Sequence, residues 1–586
     1  MEITRREAMQ VAIAVPLYMQ SLINAPSSVV PASPGVRLIR DWNGPLCRSR
    51  LVNEGRGAVR LKEVVLFDVN LTLPAATRLY AEGFQMLSQN GGTLGEPADL
   101  GSYTDAKHYK MAVPADGHAF YGLITLSPPQ GSAQLMAFTS CRRFSGQFYL
   151  SGRSLRAVID TEDLELAPGE AWELEEFTFR TGPNREQLLT DLAERLVQNH
   201  PPLLGKTGRT PPTGWCSWYC FGPSVTSKQV LDNLDFIANN VPGLKYIQID
   251  DGYQPAMGDW LETGTAFGGN VQAVLKQIRA RGFEPAIWVA PFIAEEQSQV
   301  FQQHPEWFVQ GDDSGPLRSD KVTFGGWRRG PWYVLDGTHP EVQKHFQDLF
   351  GTMRREWGCT YFKLDANFWG TIHGGRFHDV KATRIEAYRR GMQAILRGAG
   401  NSFILGCNHP IWPSLGLIHG SRSSNDIKRT WDRIVTTARQ NLLRNWQNGR
   451  LWWNDPDALV LGGDLPDNEF QFHATAIYAS GGMLLSGDDL TSLSTPRLVM
   501  LKKLLPPTGV RAEFEDDSMR VGFVNLTNAR MVSIFNWDDK RQTISFRLPQ
   551  AAVITDYWTG TSLGRYEGTF TIREMPARSA RLLRLT

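Results

Sequence analysis

"HPEVQKHFQDLFGTMRREWGCTYFKLDANFWG", His339–Gly370, is the stretch on which the fold turns. As far as Gly358 it reads as an amphipathic helix, with apolar positions recurring at helical spacing. From Cys359 the rhythm changes to a short apolar strand, Tyr361, Phe362 and Leu364, which carries Lys363 and stops on Asp365 among aromatics. A carboxylate at the end of a buried strand is costly unless it is paired or used. What it is used for depends on how the neighbouring strands end.

Outward from this unit the same alternation continues in both directions. Before it come "GWCSWY", "YIQIDD" and "EPAIWVAPF", separated by the helical "SKQVLDNLDFIANNV" and "NVQAVLKQIRARG". After it come "FILGC", "SRSSND", "LWWNDPD" and "MLLSGDD", with "ATRIEAYRRGMQAILRGAG", "RIVTTARQNLLRNWQNG" and "QFHATAIYASGG" as helices. Eight strand-like segments, most followed by a helix, predict a (β/α)8 barrel over residues 210–505. The competing doubly wound sheet would carry a Gly-rich phosphate turn, and the chain has none.

On either side the period falls to two. Residues 31–200 alternate in short runs such as "AVRLKEVVLFDV" and "GQFYLSGRSLRAVID", predicting an N-terminal β-sandwich that ends in one helix, Asn184–His200. Residues 510–586 return to the same pattern and predict a smaller C-terminal β-sandwich. Either β-domain is able to lend a loop to the barrel mouth. Residues 1–30 read as an export signal and linker. Arg5-Arg6 ahead of an apolar stretch resembles a twin-arginine signal, and "APSSVVPASPG" reads as an exposed, cleavable linker. The expectation is an exported protein, periplasmic or extracellular, with a cytoplasmic one as the alternative.

In composition the 586-residue chain is an ordinary soluble one. Sixty-one basic against 60 acidic residues leave a net charge of +1, which argues against nucleic acid as a partner. No later segment offers the roughly twenty consecutive apolar residues of a membrane span. Six scattered cysteines, with Cys216 and Cys220 lacking a second pair, make neither a disulfide framework nor a zinc site. Eighteen tryptophans are many, and flat rings with a polar edge suit sugar faces.

In a (β/α)8 barrel the loops after the strands share one mouth. The predicted strand ends are Trp218-Tyr219, Asp250-Asp251, Trp288, Asp365 after Lys363, Cys407, Asp426, Asp455 with Asp457, and Asp488-Asp489. A lone terminal Asp is most simply a helix N-cap, the reading kept for Asp488, Asp489 and at least one of Asp455 and Asp457. Asp336 reads as a cap of the helix starting near Pro340 or as a contact to the site. His373, His378 and His409 read as surface loop residues. Carboxylates from five strands together, with a lysine and tryptophans, point instead to glycoside hydrolysis by two carboxyl groups, with no metal and no cofactor.

Several of these stretches also carry a resemblance. "GWCSWY", "IQIDDGYQPAMGDW", "GFEPAIWVAPF", "YFKLDANFWG", "FILGCNHPIWPSLGLIHGSR" with "NDIKRTW", and "WWNDPDALVL", in this order over Gly214–Leu490, resemble the family 36 α-galactosidases of glycoside hydrolase clan D, in their compact bacterial and thermophilic branch. The resemblance implies a retaining hydrolase of terminal α-linked galactose. It makes Asp365 of the K-x-D motif the nucleophile and Asp426, four residues after Arg422, the acid/base. Lys363 would lie beside the nucleophile. Asp250 and Asp251 would bind the O4 and O6 hydroxyls, Trp260 and Trp288 would wall the sugar, and Arg422 and Cys407 would lie near C2.

The chain departs from its relatives at Asn408-His409 and at "RSSND", both expected near C2. An α-N-acetylgalactosaminidase with the same mechanism is therefore one alternative. A carbohydrate-binding barrel without catalysis is another, although it would need neither a nucleophile nor a positioned acid.

Overall fold

The computed structural model describes residues 22–206, 210–312 and 315–586. At its centre eight strands form one parallel sheet: β1 Thr213–Cys216, β2 Tyr246–Ile249, β3 Glu284–Val289, β4 Tyr361–Leu364, β5 Phe403–Gly406, β6 Gly420–Arg422, β7 Trp453–Asp455 and β8 Leu484–Ser486. Their order is β7-β6-β5-β4-β3-β2-β1-β8. The ring closes between β7 and β8, where Met483 N donates to Asn454 O at 2.8 Å and Leu459 pairs with Ser486. Nearly every residue of these strands is buried, because helices cover the sheet outside and side chains fill it inside.

The helices are α1 Arg185–Asn199, α2 Ser227–Asn240, α3 Val271–Ala280, α4 Pro340–Arg355, α5 Arg384–Ala399, α6 Trp431–Leu443 and α7 Asp467–Ser480, and the first five start at a side-chain cap. Thr226 with Gln229 and Thr383 with Glu386 form capping boxes on α2 and α5, each satisfying end N–H groups in both directions. The stretch that opened the sequence reading is α4 followed by β4. Between β5 and β6 there is no α-helix, only the 3-10 turn Trp412–Ser414.

The N-terminal region is a sandwich of a five-stranded and a nine-stranded antiparallel sheet around Phe67, Phe138, Phe148 and Phe177. The Arg5-Arg6 export reading lies outside the described residues. The linker reading of residues 25–35 is corrected: Ser28–Val30 is a strand paired with Glu63–Val65, and Ala25 is buried. Backbone hydrogen bonds that add this segment as the edge strand of the sheet outweigh the small-residue composition that suggested an exposed tether.

Contacts between this sandwich and the barrel are specific. Arg444, just past α6, is buried and pairs with Glu82 at 2.6 Å, while Met86 N donates to His409 O at 3.0 Å. The segment from Phe84 to Met111, which includes strands Gln89–Thr93 and Glu96–Asp99, is thereby fixed at the barrel mouth. The C-terminal domain has a six-stranded and a two-stranded sheet, and it rests on α7 through Phe472, Phe535 and Trp537.

Candidate active site

At the C-terminal mouth of the barrel lies a cavity of about 360 Å³. Asp250, Asp251, Trp288, Lys363, Asp365 and Asp426 all line it, from three strand ends and the loop after β6. Trp218, Phe324, Trp327, Asn408, Asn425, Lys428 and Arg433 complete the barrel's share of the wall.

The floor is built by strand ends. Asp365 follows β4 directly and is buried; its carboxylate accepts from Trp288 Nε1 at 3.0 Å and from Ala366 N at 2.7 Å. Ala366 sits at φ 53°, a turn that aims Asp365 into the mouth rather than along the strand. Burial pushes the Asp365 carboxyl up, opposed by Lys363, Trp288 and the Ala366 N–H. Lys363 Nζ lies 2.9 Å from Asp250 Oδ2, and both side chains are buried. Burial alone would lower this ammonium, but Asp250, Cys216, Cys407 and Asp365 together hold it well above its ordinary range. Gln248 Nε2 also donates to Asp250, at 2.6 Å. Asp251 is pushed up to about 7 by burial, against Arg328, whose Nη2 is 3.0 Å from its Oδ2.

The other side is a loop. Asp426 lies four residues beyond β6, with 59% of its side chain open to solvent. Its Oδ1 accepts from Arg422 Nη2 at 2.6 Å. Desolvation acts to raise this carboxyl, but on so open a group it yields to Arg422 and Lys363, and the carboxyl lies below its ordinary range. Arg422 itself is 2% exposed, and the same Nη2 donates to Asp457 Oδ2 at 2.7 Å. Burial pushes Asp457 up to about 6 against the pull of Arg422.

Three residues expected at the sugar are set one layer back. Trp260 is buried behind Trp288, ring centroids 5.7 Å apart and edge-on, so it braces a wall without forming one. Cys407 and Arg422 are buried under the pocket, with Arg422 Nη1 3.9 Å from Cys407 Sγ.

Several single-residue readings are corrected too. His409 is no surface residue: it is fully buried, bonded to Ser414 Oγ at 3.0 Å and Ser421 Oγ at 2.9 Å, and burial lowers it to about 3. His373 is half-buried, its Nε2 2.9 Å from Tyr109 O, while His378 is exposed as expected. The cap of α4 is His339; Asp336 is buried and accepts from Thr338 N and His378 N, tying two loops together. Asp488 caps no helix and instead holds Leu461 N, Gly462 N and Arg429. Asp489 does cap the 3-10 turn Leu490–Ser492. Neither Asp455 nor Asp457 caps a helix: Asp455 accepts from Asp457 N, and Asp457 serves Arg422.

Sequence reasoning assigned no residue from outside the barrel, yet Leu87, Ser102, Tyr103 and Tyr109 of the N-terminal domain line the cavity. Tyr109 is buried against Phe368, with its hydroxyl unpartnered. Nothing in a period-2 region marks which loop crosses to another domain. Asp457 was visible, in "WWNDPD", but only geometry separates a carboxylate that serves an arginine from a cap. Among the described residues no group of three or more His, Cys, Asp or Glu is arranged to hold a metal ion, and no helix is long and apolar enough to cross a membrane.

Fold and site together define a (β/α)8 barrel with β-rich flanking domains and a carboxylate-lined mouth. Residues 234–397 match the Melibiase family model. The chain is 31% identical over 153 residues to the myogenesis-regulating glycosidase of Mus musculus, covering 26% of this chain and 20% of that protein. It is 23% identical over 301 residues to an α-galactosidase of Oryza sativa subsp. japonica, covering 49% and 60%. Among solved structures, TtGalA, an α-galactosidase from Thermus thermophilus in complex with p-nitrophenyl α-D-galactopyranoside, superposes with TM-score 0.62 at 23% identity, over 83% of this chain and 95% of that one. The galactosidase domain of AgaSK superposes with TM-score 0.68 at 14% identity, over 95% and 81%. At these identities the superpositions speak for the fold.

Proposed function

We propose that the chain is a retaining exo-glycosidase of the family 36 type that releases terminal α-linked galactose. The observation that carries this reading is that Asp365, at the end of β4, and Asp426, on the loop after β6, line one cavity, with Lys363 close enough to Asp365 to favour its charge. Asp365 attacks the anomeric carbon while Asp426 gives its proton to the departing oxygen. The galactosyl ester that forms is then opened by water, whose proton returns to Asp426. Lys363 and the Trp288 N–H favour the ionised nucleophile. Asp250 and Asp251 are assigned to the sugar hydroxyls opposite the scissile bond. Of the residues in the two departures expected near C2, Asn408 and, within "RSSND", Asn425 line the cavity whereas His409 is buried scaffold, which leaves these two asparagines to set the C2 preference.

The test compares purified protein on p-nitrophenyl α-galactoside and p-nitrophenyl α-N-acetylgalactosaminide, with the first-formed anomer followed by NMR. Faster release from the plain galactoside, with α-galactose appearing first, is expected. Preference for the acetamido sugar would move the assignment to that substrate, β-galactose first would refute retention, and binding without turnover would leave a carbohydrate-binding barrel.

A further inference from the structure

Resting on the reading of Asp426 as acid/base, we infer that Asp457 is its positioning residue, acting through Arg422 and through the peptide that follows Asp426. The Oδ2 atom of Asp457 is the focus. It accepts from Arg422 Nη2 at 2.7 Å, from Ile427 N at 2.7 Å and from the Tyr219 hydroxyl, while Oδ1 accepts from Ala458 N at 2.7 Å. Ile427 directly follows Asp426, so one oxygen fixes both the guanidinium that touches the acid and the backbone that carries it. Asp457 is 4% exposed, lies off the cavity wall and sits at φ 71°, a conformation uncommon outside glycine and asparagine. Strain of this kind persists where the surroundings over-determine it, here by four hydrogen-bond donors.

The arrangement answers a difficulty in the acid/base assignment. A general acid must hold a proton at working pH, yet Arg422 at 2.6 Å favours the carboxylate of Asp426. Because Asp457 shares the same Nη2, part of the guanidinium's charge is already neutralised before Asp426 meets it. The other charged groups around Asp426 are Lys363 and Asp365 from β4, Arg433 from α6, and Lys428, which lines the same cavity. Cys407 after β5 and Tyr219 after β1 also face it, while Asp455 faces Asp457. Of these, Asp457 alone both bonds the contacting guanidinium and holds the backbone at Ile427.

The test is Asp457→Asn, which keeps shape and tolerates the positive φ, assayed on 2,4-dinitrophenyl α-galactoside and on melibiose across pH. Removing the counter-charge exposes Asp426 to the whole of Arg422, so the alkaline limb of kcat/KM should move down by about half a unit or more. Protonation matters most for a poor leaving group. The melibiose rate should therefore fall about tenfold or more while the dinitrophenyl rate changes by less than about threefold. Tyr219→Phe, at a half-buried position, removes a hydrogen bond that favours ionised Asp457, and should shift the limb the same way by less. It remains informative if Asp457→Asn does not fold. Equal losses on both substrates with an unmoved alkaline limb would overturn the inference. Asp426→Asn is the control for the underlying reading: if that variant shows no leaving-group dependence, the acid/base assignment fails, whatever Asp457 does.

Discussion

The two sides of the cavity are made differently. On the floor, Asp365, Lys363 and Asp250 stand at the ends of strands β4 and β2, all buried, with 2.9 Å between Lys363 and Asp250 and with Asp365 held by Trp288. Across from them Asp426 stands on a loop, 59% exposed, and owes its place to Arg422 and Asp457. A nucleophile that must meet one carbon gains from strand rigidity. An acid/base that alternates between a leaving group and a water gains from an open position with a tethered base. Under the proposed function the contrast is therefore a division of labour, and it breaks if the floor proves tolerant or the loop side proves rigid.

The largest effect is expected on the floor. Asp365→Asn should lower turnover by about 10⁴-fold or more, because the covalent step is lost, while galactose binding by calorimetry persists. A loss under about tenfold would remove Asp365 from the chemistry. Next comes Lys363→Met, which leaves Asp250 buried without its ion partner. Breaking such a pair should destabilise the fold by about 3–5 kcal/mol in denaturant unfolding. The exposed pair Lys228–Asp232, at 2.6 Å, is the comparison: Lys228→Met should change stability by about 0.5 kcal/mol or less. Similar losses in the two variants would mean that the floor is no more preassembled than the surface.

How much of this contrast the sequence contained follows from the same difference. Floor residues belong to strands, and a strand that ends on a carboxylate writes its own signature; "YFKLDANF" and "YIQIDD" were legible for that reason, as was the barrel that orders them. The loop side was legible only through resemblance, since the spacing of Arg422 and Asp426 has no periodic logic of its own. What could not be read were the relations across the chain: Asp457 to Arg422, His409 to Ser421, and Tyr109 reaching in from another domain. Burial misled in both directions. Trp260, expected to face sugar, is core, and His409, expected on the surface, is the most enclosed histidine at the mouth.

His409 ties the end of β5 to β6, the strand that leads into the Asp426 loop, through its bond to Ser421. Burial lowers it from an ordinary value near 6.5 to about 3, so it is neutral when folded. Between those values the unfolded chain binds the proton and the folded one does not. Its contribution to stability is therefore whole above about pH 6.5 and is lost as pH falls toward 3. His409→Gln should be less stable than the parent at pH 7, and the difference in Tm should shrink on acidification to pH 5. A difference that stays constant across this window would show that His409 does not act on this tie through its charge.

The smallest effect is expected at the rim, where Trp327 faces the opening with its ring edge-on to Trp332 at 4.3 Å. An aromatic face at the mouth contacts substrate equally before and during reaction, so it contributes to binding uniformly and KM should carry the change. A loss of about 0.5–1.5 kcal/mol of ring contact corresponds to a rise in KM of roughly two- to twelvefold for Trp327→Ala, with kcat within about twofold. Tyr103→Ala, a more exposed ring from the N-terminal domain, should do the same more weakly. If kcat falls instead and KM holds, the rim is engaged in the transition state. Catalysis would then not be confined to the strand-borne floor and the tethered acid, and the N-terminal domain would be part of the catalytic apparatus rather than its border.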